Sequence, residues 1–333
     1  MIVDTHAHAI PGRYPERSSC LPRMEPVQGS PDRTLVFDQV RFRAKEVFWD
    51  AERRLEAMDA AGVDAEVVSP MPPLLRWDLP SAEVAFLARH VNEFVAELAA
   101  HGSGRILGLG MAPLGDPDGA AAELATIRDL GLHGVEVTSS VLGASIGDEK
   151  FLPFFQECER LGLAVFVHAM PAATARLPRS ALATYVVGIE GAYAAASIVT
   201  NGVADACPDL RISFSHAAGG YPLTVPRANY FATGAWNEEE PRPDRAVAPS
   251  EGPTPLEVAR RFYYDSLVFD RRAIAYLIEL LGADRLLVGS DFAAMPREEP
   301  CARTLLAMEL DAEQLEDITW RNAHRWLDLP ASG

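Results

Sequence analysis

Short apolar runs alternate with helical stretches along the whole chain. In the first helical stretch Ala51, Leu55 and Met58 have helical spacing, and Gly62 then ends the helix. Eight apolar runs are short enough to be strands that are buried on both faces. In chain order they are "MIVDTHA", "AEVVS", "RILGLGMAPL", "HGVEVTS", "LAVFVHAM", "LRISFSHAAGG", "RFYYDSL" and "RLLVGSDFA".

Eight strands that are each separated from the next by a helix favour one architecture. A doubly wound sheet uses the same alternation, but eight units favour closure into a (β/α)₈ TIM barrel. A barrel with insertions accounts for the chain length of 333 residues, so we expect a single domain over residues 1–333.

Two segments interrupt the alternation. Residues 11–48 form a long insertion after the first strand. Residues 233–255, after the sixth strand, are Pro-rich and acidic, and we expect them to form an exposed loop. Both should leave from the C-terminal ends of strands or from the helices beside them, which is where barrels build active sites.

Net charge narrows the classes of partner. The formal net charge is -17, which repels phosphate backbones and anionic membranes, so we expect neither nucleic acid nor a membrane as a partner. The four cysteines have no paired spacing, which indicates a reduced, cytoplasmic protein. Charges or glycines interrupt the apolar stretches well short of a membrane span. A small anionic substrate is compatible with this charge if a few arginines gather locally.

The pair His6 and His8 lies at the end of the first apolar run. Side chains two apart on a strand point the same way, so Ile2, Asp4 and the two histidines should share one side. For this pair alone, two solvated histidines at a strand end are the better interpretation. The other strand ends change that balance.

His168 ends the fifth strand, His216 the sixth and Asp291 the eighth. In a closed barrel these ends surround one mouth together with the end of the first strand. Imidazole and carboxylate ligands suit a borderline divalent ion, most simply zinc with one position left for water, although manganese is also accepted. The strand ends therefore predict a metal site at the mouth.

Other polar residues are open to more than one interpretation. The four remaining histidines fit no strand end and are expected to be structural or solvent-facing: His90, His101, His133 and His324. Asp4 is expected to support a ligand, whereas Glu136 is either a supporting partner or a buried barrel polar group. Asp265, at the end of strand seven, either orients a histidine or caps the following turn.

The motifs "DTHAH", "FVHAM", "FSHAAGGYPLTVPR" and "VGSDF" resemble the amidohydrolase superfamily, in the decarboxylase branch typified by aminocarboxymuconate semialdehyde decarboxylase (amidohydrolase-related family 2). The resemblance extends over the whole chain, from "WDAERRLEAMDAAGVDAEVVS" to the closing "NAHRWLDL". Its most specific part is "SHAAGGYPLTVPR", in which an arginine follows a histidine by eleven residues with Gly and Pro between them.

The resemblance implies a role for each site residue. One divalent ion per chain would be held by His6, His8, His168 and Asp291. His216 would act as acid and base beside the metal-bound water. Arg227 would reach a substrate carboxylate in the neighbouring subunit's site, which implies a homodimer.

Two departures from the family pattern concern the substrate pocket. Alignment without gaps places Phe42 where the family has a second carboxylate-binding arginine, with Arg41 and Arg43 on either side, and Arg76 after strand two is another candidate. Phe292 is kept after Asp291, but the segment continues "AAMP" instead of with Pro and a second aromatic residue. We expect a reshaped pocket and a substrate that differs from the muconate semialdehyde.

These inferences give a leading hypothesis and two alternatives. The leading one is a metal-dependent, non-oxidative decarboxylase of a small aromatic or dienoic carboxylic acid. The first alternative uses the same metal site for hydrolysis or hydration. The second is a barrel that binds a ligand without catalysis, for which ligand binding should survive removal of the metal.

Overall fold

All eight predicted strands are present and form one parallel sheet. The computed structural model describes residues 1–17, 20–38, 40–171, 176–234 and 252–330. In spatial order the strands of the sheet are β1 (Val3–Ala9), β5 (Ala65–Pro70), β6 (Ile106–Gly110), β7 (Gly134–Thr138), β10 (Ala164–His168), β11 (Ile212–Phe214), β12 (Tyr263–Asp265) and β13 (Leu286–Leu287). Their spatial order equals their order along the chain, as the (β/α)₈ prediction requires.

The sheet closes on itself between its first and last strands. Parallel bridges join Asp4 to Val288 and Ala7 to Phe292, just beyond the end of β13. The N–H of Thr5 donates to the carbonyl of Val288 at 2.8 Å. The predicted (β/α)₈ TIM barrel is therefore confirmed.

Helices connect the strands and cover the outside of the barrel. In chain order they are α1 (Ala51–Ala61), α2 (Ser81–His101), α3 (Pro117–Asp129), α4 (Leu152–Leu161), α5 (Val187–Thr200), α6 (Val203–Ala206), α7 (Tyr221–Ala232), α8 (Pro255–Ala259), α9 (Arg271–Leu281), α10 (Arg303–Leu306), α11 (Ala312–Glu316) and α12 (Asn322–Leu327). Short 3₁₀ or π turns span Glu46–Phe48, Pro72–Leu74, Glu149–Phe151, Arg179–Ala181, Leu182–Val186, Ser215–Ala218, Ala283–Arg285 and Asp317–Arg321. Helix α1 begins after Asp50, whose side chain accepts from the N–H of Arg53. It ends at Gly62, which is in the left-handed region, as predicted for this glycine.

The insertion over residues 11–48 contains structure that the sequence pattern did not indicate. Strands β2 (Arg23–Pro26), β3 (Arg33–Phe37) and β4 (Val40–Ala44) form a small antiparallel sheet. A second small hairpin, β8 (Ser140–Val141) with β9 (Ala144–Ser145), follows β7. Of the predicted loop over residues 233–255, residues 235–251 lie outside the described residues.

The interior of the barrel is apolar at its N-terminal end. Trp326 of α12 is fully buried there, with its ring centroid 6.2 Å from that of Phe166. On its other side, Phe166 lies 5.0 Å from the ring of His6. Residues of five more strands complete this apolar cluster: Val3, Val67, Leu109, Tyr263 and Leu287. Buried polar side chains inside the barrel begin at the level of Phe166, whose strand neighbours in register are Glu136 and Ser213.

Strand β1 contains a bulge that changes which side chains face inwards. Asp4 pairs with Glu66, but the next pair is Ala7 with Val68. Between these pairs β1 moves on by three residues while β5 moves on by two, so β1 contains one extra residue. An extra residue reverses the alternation of side chains on either side of it. The prediction that Asp4 shares a face with the histidines is therefore wrong. Its carboxylate contacts Arg297 and the hydroxyl of Ser290 instead.

One helical segment was not anticipated as a membrane candidate. By length and composition Arg179–Thr200 is apolar enough to cross a membrane, and a third of its most apolar stretch is buried in the protein. A core helix of a soluble protein meets the same criteria. Here the segment packs against α7 and the turn after β11: a Cβ on Gly191 would lie 3.1 Å from the carbonyl carbon of Ala218.

Candidate metal centre

Three histidines meet inside the mouth of the barrel. His6 and His8 lie in the C-terminal half of β1, and His168 ends β10. Each pair of these rings has a centroid separation of 5.1 Å. All three residues are buried. The structure thus brings together the three histidines that the strand-end pattern named.

Asp291 completes the group from the opposite side of the barrel seam. It follows β13 and adopts the left-handed region, with φ of 57°. This conformation is uncommon for aspartate and points to a constrained position. Its Oδ1 atom lies 3.1 Å from Nε2 of His8 and 3.6 Å from Nε2 of His6. One carboxylate oxygen therefore faces two imidazoles.

The two nitrogens of each imidazole have different environments. Nδ1 of His6 lies 2.7 Å from Oδ2 of Asp265, Nδ1 of His8 lies 3.2 Å from Oγ of Ser69, and Nδ1 of His168 lies 3.1 Å from the carbonyl of Ala169. The three Nε2 atoms are buried and have no hydrogen-bond partner among the residues that the structure describes.

This division is the expected state of metal-binding histidines. A buried ring nitrogen without a partner is costly, whereas a ligand histidine characteristically bonds its second nitrogen to a carboxylate, carbonyl or hydroxyl. Nitrogen and carboxylate donors with this spacing fit a divalent ion such as zinc or manganese. The residues present therefore fit a metal site.

Asp265 has both of the roles that the sequence left open. It orients His6 through Oδ2, and its Oδ1 accepts from the main-chain N–H groups of Ala217 and Leu267, each at 3.1 Å. The two alternatives, orienting a histidine and capping the turn, are both realised. Ser69 was missed, because a serine at the end of the run "AEVVS" carries no pattern that distinguishes it from any other polar strand end.

His216 sits on an irregular turn directly after β11. His216, Ala217 and Ala218 all have positive φ, of 50°, 52° and 55°. Three consecutive non-glycine residues in this region are strained, and such strain concentrates at functional sites. The ring centroid of His216 is 5.3 Å from that of His6 and 5.7 Å from that of His168.

His216 is close enough to be counted with the possible ligands. One donor atom each from His6, His168, His216 and Asp291 all lie within 4.8 Å of one another. That set contains His216 and omits His8, although Nε2 of His8 is 3.1 Å from the same Asp291 oxygen. The geometry therefore brings all five side chains together.

Burial and charge act in opposite directions on the site's pKa values. Burial alone would lower the pKa of His6, but the bond to Asp265 and the charges of Asp291 and Asp265 raise it to about 9. Burial lowers the pKa of the other three histidines: His8, His168 and His216. Three of the four imidazoles are thus held neutral, as ligands and bases require.

Burial and neighbouring charges also shift the pKa values of two carboxyl groups, Asp291 and Glu136, in opposite directions. Although burial opposes ionisation, the contact with His8 and the charge of His6 hold the pKa of Asp291 below its usual range. Burial raises the pKa of Glu136 to about 8. Glu136 is fully buried on β7, with Oε2 3.9 Å from Nδ1 of His8, so it faces the site rather than the outer helices.

The predicted substrate-binding residues lie in other places. Arg227 is exposed on α7, with its guanidinium 5.0 Å from the ring centroid of Phe231. Arg43 pairs with Asp32 at 2.9 Å in the small sheet.

The remaining two candidates also have partners. The side chain of Arg76 is mostly buried and bonds Asp78 and Asp38. The half-buried ring of Phe292 lies 4.0 Å from the guanidinium of Arg297.

Comparison with known proteins places the chain in a family. The amidohydrolase family model matches residues 3–329, so the chain belongs to that family. The 2-amino-3-carboxymuconate-6-semialdehyde decarboxylase of Dictyostelium discoideum is 30% identical over 248 residues, which cover 73% of this chain and 67% of the relative. The gamma-resorcylate decarboxylase of Rhizobium radiobacter is 27% identical over 275 residues, covering 72% and 76%.

A solved structure shows the same fold. A dihydroxybenzoic acid decarboxylase from Polaromonas sp. JS666, with bound manganese and the inhibitor 2-nitroresorcinol, superposes with a TM-score of 0.75 and 21% identity over 99% of this chain and 98% of the other. These relatives and this structural neighbour are decarboxylases.

Proposed function

We propose that this protein is a metal-dependent, non-oxidative decarboxylase of a small aromatic or dienoic carboxylic acid. The proposed ligands are His6, His8, His168 and Asp291. One observation carries the proposal: three buried imidazoles have anchored Nδ1 atoms, and their Nε2 atoms, which have no hydrogen-bond partner among the described residues, meet an ionised carboxylate at one mouth. The decarboxylases among its relatives support this choice of reaction.

His216 is the proposed acid and base. Loss of CO₂ leaves an electron pair on carbon, and a proton must arrive at that carbon to complete the reaction. A bound divalent ion would polarise the substrate and lower the pKa of nearby water. Because burial keeps the imidazole of His216 neutral, it can accept a proton and deliver it to that carbon. The strained turn fixes where this ring points.

We propose zinc as the ion, with manganese as the alternative. Three imidazoles and a carboxylate satisfy either ion. The manganese in the Polaromonas structure supports the alternative.

A homodimer would place Arg227 in the partner's site, where its guanidinium would hold the substrate carboxylate. Large apolar side chains surround this part of the surface, on α7, on α5 beside it and on the turn before α5: Tyr185, Ile189, Tyr193, Leu223 and Phe231, each at least 38% exposed. An exposed apolar patch of this kind favours a protein interface.

We place this dimer in the cytoplasm, since the buried cysteines Cys158, Cys207 and Cys301 are thiols.

A substrate screen tests the proposal. The purified protein, loaded with zinc or manganese, is incubated with ortho-hydroxy and ortho-amino aromatic acids, with aminocarboxymuconate semialdehyde, and with a set of esters, lactones and amides. When the reaction is run in D₂O, we expect CO₂ release from an acid, with one solvent deuterium on the carbon that carried the carboxyl group. Hydrolysis of an ester, lactone or amide without CO₂ release would instead establish the hydrolase.

A further inference from the structure

A network of buried charges lies on the outer side of the barrel, behind the histidines. Arg54 of α1 and Glu66 of β5 form an ion pair, and both side chains are fully buried. Arg297 bonds the same glutamate and also Asp4, whose Oδ2 lies 3.0 Å from its Nη2. Two guanidinium groups therefore face two carboxylates, with no net charge left over if all four are ionised.

The network holds the main chain of β1 beside two proposed ligands. Nη2 of Arg54 donates to the carbonyl of His8 at 2.5 Å. Oδ1 of Asp4 accepts from the N–H of His6 at 3.3 Å. Both contacts are made from outside the barrel. Arg54 lies on the outer helix α1, and the bulge in β1 turns Asp4 away from the histidines.

The same network also holds the segment that carries Asp291, another of the proposed ligands. The hydroxyl of Ser290, the residue before Asp291, donates to Asp4. The guanidinium of Arg297 covers the ring of Phe292, the residue after it. Asp291 is thus bracketed on both sides, in a left-handed conformation that it would rarely adopt unaided.

Stability alone is a weak explanation for this arrangement. Removing four charged groups from water is expensive, and well-packed apolar residues at such positions are often as stabilising or more so. A buried ionic network is better suited to fix one relative position of two chain segments. Here the two segments are β1 and the end of β13, which form the seam of the barrel.

We propose that Arg297 is a positioning residue for the metal centre: through Asp4 and Ser290 it fixes the separation between the histidines of β1 and Asp291. This inference rests on the metal centre proposed above. It predicts that loosening the network changes metal affinity and ligand geometry even where the barrel remains folded.

The test compares the metal affinity of the wild type with that of four variants, each as the full chain. Arg297→Met removes the guanidinium, Arg297→Lys keeps a charge, and Ser290→Ala removes only the hydroxyl that links Asp4 to the Asp291 segment. The matched control is Arg211→Met, since Arg211 holds the carbonyls of Trp326 and Gly162 at the opposite end of the barrel. Zinc and manganese dissociation constants are measured by competition with a chromophoric chelator.

We expect Arg297→Met to weaken metal binding about 10- to 100-fold, the range found when partners of ligands are removed. Arg297→Lys should recover part of the loss, Ser290→Ala should show a smaller loss, and the control should match the wild type. The visible spectrum of the cobalt-substituted protein should change in intensity in Ser290→Ala but not in the control. If Arg297→Met does not fold, Arg297→Lys and Ser290→Ala still carry the test.

The two proposals fail in different ways. Tight binding by the wild type with unchanged affinity and cobalt spectrum in Arg297→Lys and Ser290→Ala would overturn the positioning role and leave the metal centre intact. A wild type that binds neither zinc nor manganese would overturn both proposals.

Discussion

Nδ1 of His6 lies 2.7 Å from Oδ2 of Asp265, and both side chains are buried. The other oxygen of the same carboxylate accepts from the N–H of Ala217, in the turn that carries His216. One carboxylate therefore aligns a proposed metal ligand and the proposed acid–base residue. It also requires the proton of a neutral His6 to sit on Nδ1, which leaves Nε2 free for a metal ion.

Asp265→Asn should disrupt this alignment. An asparagine amide can donate to Nδ1 of His6, which would move the proton to Nε2 and block its use as a ligand. We expect metal affinity to fall about 10- to 100-fold, measured by chelator competition. Asp270→Asn, at the cap of α9, is the matched control and should bind metal as the wild type does. Equal affinity in Asp265→Asn would refute the orienting role.

Metal binding should release protons, because His6 has a pKa of about 9 and is protonated in the metal-free protein at neutral pH. Below that pH, apparent affinity should rise about tenfold for each pH unit, the slope for one displaced proton. Calorimetric titration at pH 7 in two buffers that differ in ionisation enthalpy counts the protons. Binding without proton release would contradict the assigned state of His6.

Glu136 should make the stability of the metal-free protein depend on pH. Its pKa is about 8 in the folded chain, above the ordinary value of 4.5, so the folded state holds this proton more tightly. That contribution is fully present below pH 4.5 and is lost as pH rises to 8, by at most about 1.4 kcal/mol per pH unit. Glu136→Gln cannot ionise, so its unfolding free energy in urea should fall less between pH 5 and 8.

The exposed carboxylate Glu93 offers the matched control for that series. Glu93→Gln should keep the wild-type slope of unfolding free energy against pH. Identical slopes in Glu136→Gln and the wild type would show that Glu136 is not held in its neutral form.

Arg227→Ala should raise KM with metal content unchanged, because the proposal assigns this exposed arginine to the substrate carboxylate and not to the ion. If it serves the partner's site, mixing Arg227→Ala chains with His216→Ala chains should restore activity, since a mixed dimer then contains one intact site. Mixtures that stay as inactive as their components, despite subunit exchange shown by native mass spectrometry, would place Arg227 outside the site.

The strands and the members of the site could largely be predicted from the sequence. Strands buried on both faces leave continuous apolar runs, and a barrel gathers their ends, so His6, His168 and Asp291 were recognisable as neighbours. The bulge in β1 could not be predicted, because the alternating pattern does not show which residue is extra. Asp4 was therefore assigned to the wrong face.

The supporting contacts of the site were beyond the sequence for a different reason. Arg54 and Glu66 look like ordinary charged positions of a helix and a strand, and only tertiary packing reveals them as a buried pair. The partners of Nδ1 are likewise set by geometry, since Ser69 and Ala169 have no distinctive chemistry of their own. The small sheet over Arg23–Ala44 is built from strands of only four and five residues, too short for a clear period.

The central claim is a metal-dependent decarboxylase in which His216 moves the proton. Its most direct test measures metal content and CO₂ release together, in the wild type and in His216→Ala. We predict one metal ion per chain in both proteins and a loss of CO₂ release of about 10²- to 10⁴-fold in the variant. Loss of the metal in His216→Ala would make His216 a ligand, and CO₂ release at the wild-type rate from the variant would contradict the account.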